Sequence, residues 1–343
     1  MSRRYVTTHP PSRIDFSQWT LIYDHGDRKV WKLKDELIIK RVRWFINSEA
    51  VTHKFITENT TVPAPPVYSE WLSPDHYYHY LLEGCIEGVT LADCWSQLTS
   101  KERISIARQV ATYMAKLGRF KGAAMQSISG EPLPNNNFIP NNPRSYLGRW
   151  RTDEEIFANE FYPALRRAGV DKDIITALRD TMPPCKGRLA LTHCDLYVGN
   201  IMVDPLRARV TALIDWESCG FWPEWFQYAR ITHGCNRDDG EWKFILSKVM
   251  QEIIPFADHG RVWYDAVHSF MYIPDSLQAK AWLRLLEKYL RGEVGLSVLE
   301  KYHEMDVEKA RDKVLMDRAM LNAHGERGIG GYYSTVLGRF KRR

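Results

Sequence analysis

The hydrophobic pattern of this 343-residue chain changes its period at one place, the two-glycine break Glu83-Gly84-Cys85-Ile86-Glu87-Gly88. That change constrains the fold more than any other feature. Before the break, apolar residues come in short runs bounded by turn residues, the signature of strands. Trp19 to Tyr23 and Val30 to Leu33 flank Asp24-His25-Gly26-Asp27-Arg28, and Leu37-Ile38-Ile39 follows Lys34-Asp35-Glu36. Val67 to Trp71 and Tyr77 to Leu82 flank the turn Ser73-Pro74-Asp75. Between them, residues 47–58 place Ala50, Val51, Phe55 and Ile56 at helical spacing, with Asn47 or Ser48 as the cap. The proline run Val62-Pro63-Ala64-Pro65-Pro66 cannot continue that helix. The expectation is a compact lobe of five short strands with one inserted helix.

After the break the period becomes helical. Thr90 to Gln97 and Lys101 to Leu117 read as amphipathic helices, the second with Ile104, Ala107, Val110, Ala111 and Met114 on one side. Residues 121–146, rich in Asn, Pro, Gly and Ser, read as a long surface loop. Helices resume over about Thr152 to Ala168 and Lys172 to Met182, and after a short two-stranded insert, Asn200 to Asp215, the remainder reads as helical to about Ala323. The chain therefore divides into a strand-rich lobe, 15–83, and a larger, mostly helical lobe, 84–325. The ends, 1–14 and 326–343, read as flexible tails.

Charge adds a restriction. The formal net charge is +5, but Arg3, Arg4 and Arg13 with Arg339, Lys341, Arg342 and Arg343 leave the body between them at −2. A slightly acidic body does not suit a nucleic-acid or membrane-surface protein. No apolar run approaches the roughly 18 residues of a membrane span. The six cysteines, 85, 94, 185, 194, 219 and 235, form no C-x-x-C pair. They read as reduced thiols of a cytoplasmic protein.

The chemistry is concentrated in Leu191-Thr192-His193-Cys194-Asp195-Leu196-Tyr197-Val198-Gly199-Asn200-Ile201-Met202-Val203-Asp204 and Val210-Thr211-Ala212-Leu213-Ile214-Asp215-Trp216-Glu217. The pattern is H-x-D-x-x-x-x-N, a hairpin turning at Asp204-Pro205-Leu206, and an apolar strand ending in aspartate. Alternating Ile201 and Val203, then Val210, Ala212 and Ile214, suit two half-buried strands. Such a hairpin brings Asn200 and Asp215 together at its open end, where both can offer oxygens to one Mg²⁺. Asp195 is left to face an incoming hydroxyl. These are the parts that phosphoryl transfer requires.

With these residues the chain resembles the aminoglycoside phosphotransferase family of small-molecule kinases, and within it the uncharacterised fungal branch. The resemblance extends from about Leu37 to about Arg230. It includes Glu49-Ala50, Glu58-Asn59-Thr60-Thr61-Val62-Pro63-Ala64-Pro65, Ile86-Glu87-Gly88-Val89-Thr90-Leu91 and Asp215-Trp216-Glu217-Ser218-Cys219-Gly220-Phe221-Trp222-Pro223-Glu224. It implies an α+β, bilobal protein-kinase-like fold with a small five-stranded antiparallel N-lobe and a mostly helical C-lobe. It also implies ATP and Mg²⁺ as cofactors and a small-molecule hydroxyl as acceptor. By the same resemblance Asp195 is the catalytic base, and Asn200 and Asp215 hold the metal. Lys40, closing the third strand, pairs the nucleotide phosphates and is held by Glu49, while backbone groups of Glu83, Cys85 and Ile86 meet the adenine. Residues 121–150 and 224–305 would shape acceptor specificity. Glu224, Asp238, Asp239 and Glu241 there would suit a cationic acceptor, although a solvated acidic face is the more common explanation for such acids.

The chain departs from the pattern in places. No G-x-G-x-x-G precedes Lys40, only the single glycine of His25-Gly26-Asp27-Arg28. Cys194 stands where relatives usually have glycine, Tyr197 where many have histidine, and Gln227 where an acid is common. Other readings remain open at this stage. Lys32 or Lys34 takes the place of Lys40 if the strand register differs. His193 reads as a structural residue binding loop carbonyls; as a metal ligand with Asp195 it would need a further ligand, His233 being nearest. Trp216 and Trp222 read as packing residues, and Cys194 and Cys219 as inert. Two rival functions are a silent pseudokinase serving as a scaffold and a nucleotidyl transferase.

Overall fold

The computed structural model describes residues 16–43, 48–135, 138–139, 146–185, 189–231, 236–253, 258–272, 277–295, 298 and 301. The expected tails, 1–14 and 326–343, lie outside them, as do Asn47, His233 and Cys235. The smaller part contains β1 (Thr20–His25), β2 (Arg28–Leu33), β3 (Leu37–Arg43), α1 (Glu49–Asn59), β4 (Val67–Leu72) and β5 (Tyr78–Gly84). Its sheet has the order β1-β2-β3-β5-β4 and is antiparallel throughout.

β3 runs further than expected. Lys40 does not close it but lies mid-strand, because Arg41, Val42 and Arg43 continue the pairing with Tyr80, His79 and Tyr78 of β5. The extra charges are tolerated because the Arg41 guanidinium lies 4.1 Å over the Tyr78 ring and the Arg43 guanidinium 4.9 Å over Tyr77. Ile39 is fully buried, and its neighbour Lys40 points to the opposite face of the pleat. The buried residues of α1 are Glu49, Ala50, Thr52, His53 and Ile56, while Val51 and Phe55 are only partly covered. The helix thus turns a partly polar face inward. Ser48 precedes it without a capping side-chain bond.

The larger part comprises β6 (Val89–Thr90), α2 (Leu91–Cys94), α3 (Ser100–Leu117), β7 (Lys121–Gly122), α4 (Asp153–Ile156), α5 (Tyr162–Arg167) and α6 (Lys172–Asp180). It continues with β8 (Leu189–Thr192), β9 (Ile201–Asp204), β10 (Arg209–Leu213), β11 (Gly220–Pro223), α7 (Phe226–Ala229), α8 (Arg237–Ile253), α9 (Asp258–Tyr272) and α10 (Leu277–Leu290). Two small antiparallel sheets, β10-β9-β6 and β11-β8-β7, lie among these helices. Gly88 closes the break between the parts at φ +111°, and a Cβ there would meet the Val203 carbonyl oxygen at 2.3 Å. Only glycine lets the chain pass so close to β9. No helix among the described residues is long and apolar enough to cross a membrane.

Two expectations fail in this part. Ile104 is exposed; the buried stripe of α3 is Ile106, Ala107, Val110, Ala111, Met114 and Leu117, and Ile104 lies at its edge near the start of the helix. The described residues of the segment 121–146 do not form a surface loop, since Met125, Leu133, Phe138 and Ile139 are fully buried. Phe138 touches the rings of Phe161, Trp222, Trp225, Phe226 and Tyr264. Burial is allowed because Asn135 accepts from the Ile139 N–H and donates to its carbonyl, satisfying backbone that would otherwise need water.

Candidate active site

Lys40 Nζ lies 3.0 Å from Glu49 Oε1 and 3.1 Å from Glu83 Oε1. The strand register makes this possible: Ile38 is opposite Glu83 across β3 and β5, one pleat from Lys40. Burial alone would lower the lysine pKa, but Glu49, Glu83 and Asp215 outweigh it and hold it raised. Burial likewise opposes ionisation of Glu49, and Lys40 and His53 reverse that, keeping its carboxyl well below the usual range. Ligating atoms of Glu49, His53 and Glu83 come within 4.8 Å of one another, a grouping that resembles a metal site. The lysine ammonium already serves as their cation. Lys32, by contrast, pairs with Asp35, and Lys34 sits in the following turn at φ +48°. Of the three lysines, Lys40 is the one that meets Glu49.

Glu83 thus contributes a carboxylate to the lysine, in addition to the backbone expected to meet the adenine. Cys85, one of the expected adenine contacts, donates its N–H to the Glu36 carbonyl at 2.8 Å.

On the facing side, the segment after β8 carries the motif. Asn200 donates from Nδ2 to Asp195 Oδ2 at 2.9 Å and to the Asp195 carbonyl at 3.1 Å. Those bonds leave Oδ1 as the atom that can meet a cation. Ile214 donates its N–H to the Asn200 carbonyl at 3.0 Å, which sets Asp215 next to Asn200 as the hairpin predicts. Asp215 itself adopts φ +65°, ψ +63°, a left-handed conformation that costs a non-glycine residue about 1–3 kcal/mol. Burial, then the charge of Glu217, push its carboxyl up to about 8, with Glu49 and Asp195 adding to the effect and Lys40 opposing it. This set of hard oxygen donors, in which Asp215 is kept from ionising until a further positive charge arrives, fits a divalent cation.

Three contacts hold the segment 194–198 from behind. Arg230 Nε donates to the Cys194 carbonyl at 3.2 Å, Trp242 Nε1 donates to the Leu196 carbonyl at 2.9 Å, and Asp239 Oδ1 accepts from the Val198 N–H at 3.2 Å. Cys194 is fully buried at φ +67°, which explains why glycine would suit this position. His193 is buried; its Nε2–H donates to the Ile214 carbonyl and its Nδ1 accepts from the Asp195 N–H. Burial pushes its pKa down to about 4, so the ring is neutral and structural, as expected. Its ring lies 4.4 Å from that of Trp216, which also neighbours the His53 ring of α1 at 6.3 Å and donates from Nε1 to the Leu213 carbonyl. Trp216 and Trp222 are fully buried, and burial raises the thiols of Cys194 and Cys219.

The acids that would have suited a cationic acceptor are largely committed elsewhere. Glu224 pairs with Lys121, Asp239 with Lys243, and Glu241 with Arg103 and Arg237. The Asp239 clamp joins residues 41 positions apart, and no local pattern signals it. His53 was readable, one helical turn after Glu49.

A family model described as "Phosphotransferase enzyme family" matches residues 14–243, two thirds of the chain and the whole of this site. The chain belongs to that family. The phosphotransferase is also similar in structure to aminoglycoside phosphotransferase APH(4)-Ia, at 15% identity and a TM-score of 0.51, over 81% of this chain and 95% of that one. A thermostable mutant of APH(4)-Ia in ternary complex with ADP and hygromycin B matches with the same values. At these identities the likeness establishes the fold: the phosphotransferase has the bilobal α+β, kinase-like architecture of these enzymes. No curated protein matches its sequence.

Proposed function

We propose that this phosphotransferase moves the γ-phosphate of ATP to a hydroxyl of a small metabolite, with Mg²⁺. The observation that carries the reading is the opposition of two charge sets, Lys40 with Glu49 and Asp195 with Asn200 and Asp215. In this reading Asp195 accepts the hydroxyl proton, and its Oδ2 bond to Asn200 fixes which oxygen faces the acceptor. Asn200 and Asp215 would hold the cation, which when bound neutralises charge on the phosphates. Lys40 orients the α- and β-phosphates, held from behind by Glu49 and Glu83. Neutral His193 keeps the loop backbone in place without competing for the proton. Phosphoryl transfer asks chiefly for such positioning and charge stabilisation.

The same reading assigns residues 15–83 to the nucleotide and 84–325 to catalysis and the acceptor, with adenine beside Glu83, Cys85 and Ile86. A cytoplasmic setting is supported by Cys85, Cys94, Cys185, Cys194 and Cys219, all free thiols. Placement in a fungal branch rests on the resemblance in sequence alone. A silent scaffold would have no use for Asp215 held in a costly left-handed conformation beside Asn200.

The test is a panel of hydroxylated metabolites with Mg-ATP, reading ADP release and product mass. A phosphorylated product with ADP is expected. An AMP-bearing product with pyrophosphate would make the enzyme a nucleotidyl transferase. No stabilisation by Mg-ATP in a thermal shift would exclude both enzymatic readings.

A further inference from the structure

The turn between β1 and β2 contains one glycine, Gly26 at φ +58°, where a phosphate cradle of backbone amides would use several. Another group stands nearby. Arg28, the first residue of β2, reaches from the smaller part of the molecule to the larger, with Nη2 at 2.5 Å from Glu217 Oε1. Burial alone would lower the arginine pKa, but Glu217, then Asp215 and Glu49, outweigh it and hold it raised. The guanidinium therefore lies within the influence of both the lysine-pairing acid and the metal-site acid.

Its availability differs from that of Lys40. The Lys40 side chain is 14% exposed and engaged by two carboxylates, whereas the Arg28 side chain is 50% exposed and engaged by one. A guanidinium carries five N–H donors in a planar fork. With one spent on Glu217, the others can meet phosphate oxygens in pairs. The position also suits phosphate, since in this reaction the phosphates bridge the lysine and the metal residues. Arg28 is bonded to Glu217 and feels acids of both groups, Asp215 and Glu49.

We propose that Arg28 is a nucleotide-phosphate ligand of this enzyme, supplying from a side chain what a glycine-rich loop supplies from its backbone, and that Glu217 holds it in place for the phosphates. This rests on the ATP-dependent reading above. Arg28 would bear on the terminal phosphates, so its contribution rises from adenosine to ADP to ATP.

The experiment is calorimetric titration of the full chain and its Arg28→Gln and Arg28→Lys variants with adenosine, Mg-ADP and Mg-ATP. Arg28→Gln is expected to weaken Mg-ATP about 10- to 100-fold, the range for charge-assisted hydrogen bonds, to weaken Mg-ADP less, and to leave adenosine unchanged. Arg28→Lys keeps the charge without the fork and should fall between. Wild-type affinity for Mg-ATP in Arg28→Gln would overturn the inference. So would an equal loss for adenosine and Mg-ATP, which would make Arg28 a strut between the two parts. A wild type that binds adenosine and Mg-ATP equally weakly would instead remove the ATP-dependent reading on which the inference stands.

Discussion

The two sides of the cleft handle charge in opposite ways. On the β3–α1 side, one cation, Lys40, is enclosed by two carboxylates, and the group is complete without any ligand. On the hairpin side, Asp195, Asp215 and Glu217 crowd together with Arg28 as the cation bonded to Glu217, and burial raises Asp215. The first side is preassembled; in the proposed reading the second awaits a cation and phosphates that neutralise it. The contrast separates residues kept for positioning from residues whose charge is useful only when ligand is present.

The largest expected effect comes from Asp215→Asn. Activity should fall by on the order of 10³-fold or more, while the empty protein becomes more stable, a trade between function and stability. The sign follows from the carboxyl raised to about 8: the folded state keeps a proton that the unfolded state has lost, so stability falls as pH rises from about 4 to 8. Asparagine removes that penalty, and thermal melts of the empty protein should show a larger gain at pH 8 than at pH 5. A loss of stability at both pH values would break the contrast.

Glu49→Gln should act the other way, destabilising by about 3 kcal/mol because a buried charge loses a partner, as urea denaturation would measure. A slightly smaller effect is expected from pH. His193 stays neutral in the folded state down to about 4, while the unfolded chain takes up the proton below about 6.5. Stability therefore declines as pH falls through that window, by up to about 3 kcal/mol, and His193→Gln should flatten the difference. The smallest effect is that of Cys194→Gly. Relief of the left-handed backbone is offset by lost packing, so stability should change by no more than about 1 kcal/mol with activity retained. Loss of activity there would mean the thiol has a task beyond filling space.

How much of this was legible follows the range of the interactions. The five strands, α1, the β9–β10 hairpin and the spacing of Asp195, Asn200 and Asp215 are local patterns, and each was readable. β8 was not, because Leu189, Ala190, Leu191 and Thr192 are all buried and show no alternation. The core role of Leu133 and Phe138 was hidden by the asparagines and prolines around them, since sparse apolar residues reveal burial only through distant partners. Arg28 and Glu217 are 189 positions apart, and the clamp of Asp239 on Val198 depends on α8 folding back. Such pairs carry no periodic signal.

The most direct test of the central claim is single-turnover phosphate transfer by Asp195→Asn, on whichever acceptor the metabolite panel identifies, with Mg-ATP affinity measured alongside. The account predicts that transfer falls by about 10²- to 10⁴-fold while Mg-ATP binding stays near that of the wild type, because Asp195 serves the acceptor proton. Unchanged transfer in Asp195→Asn would contradict it.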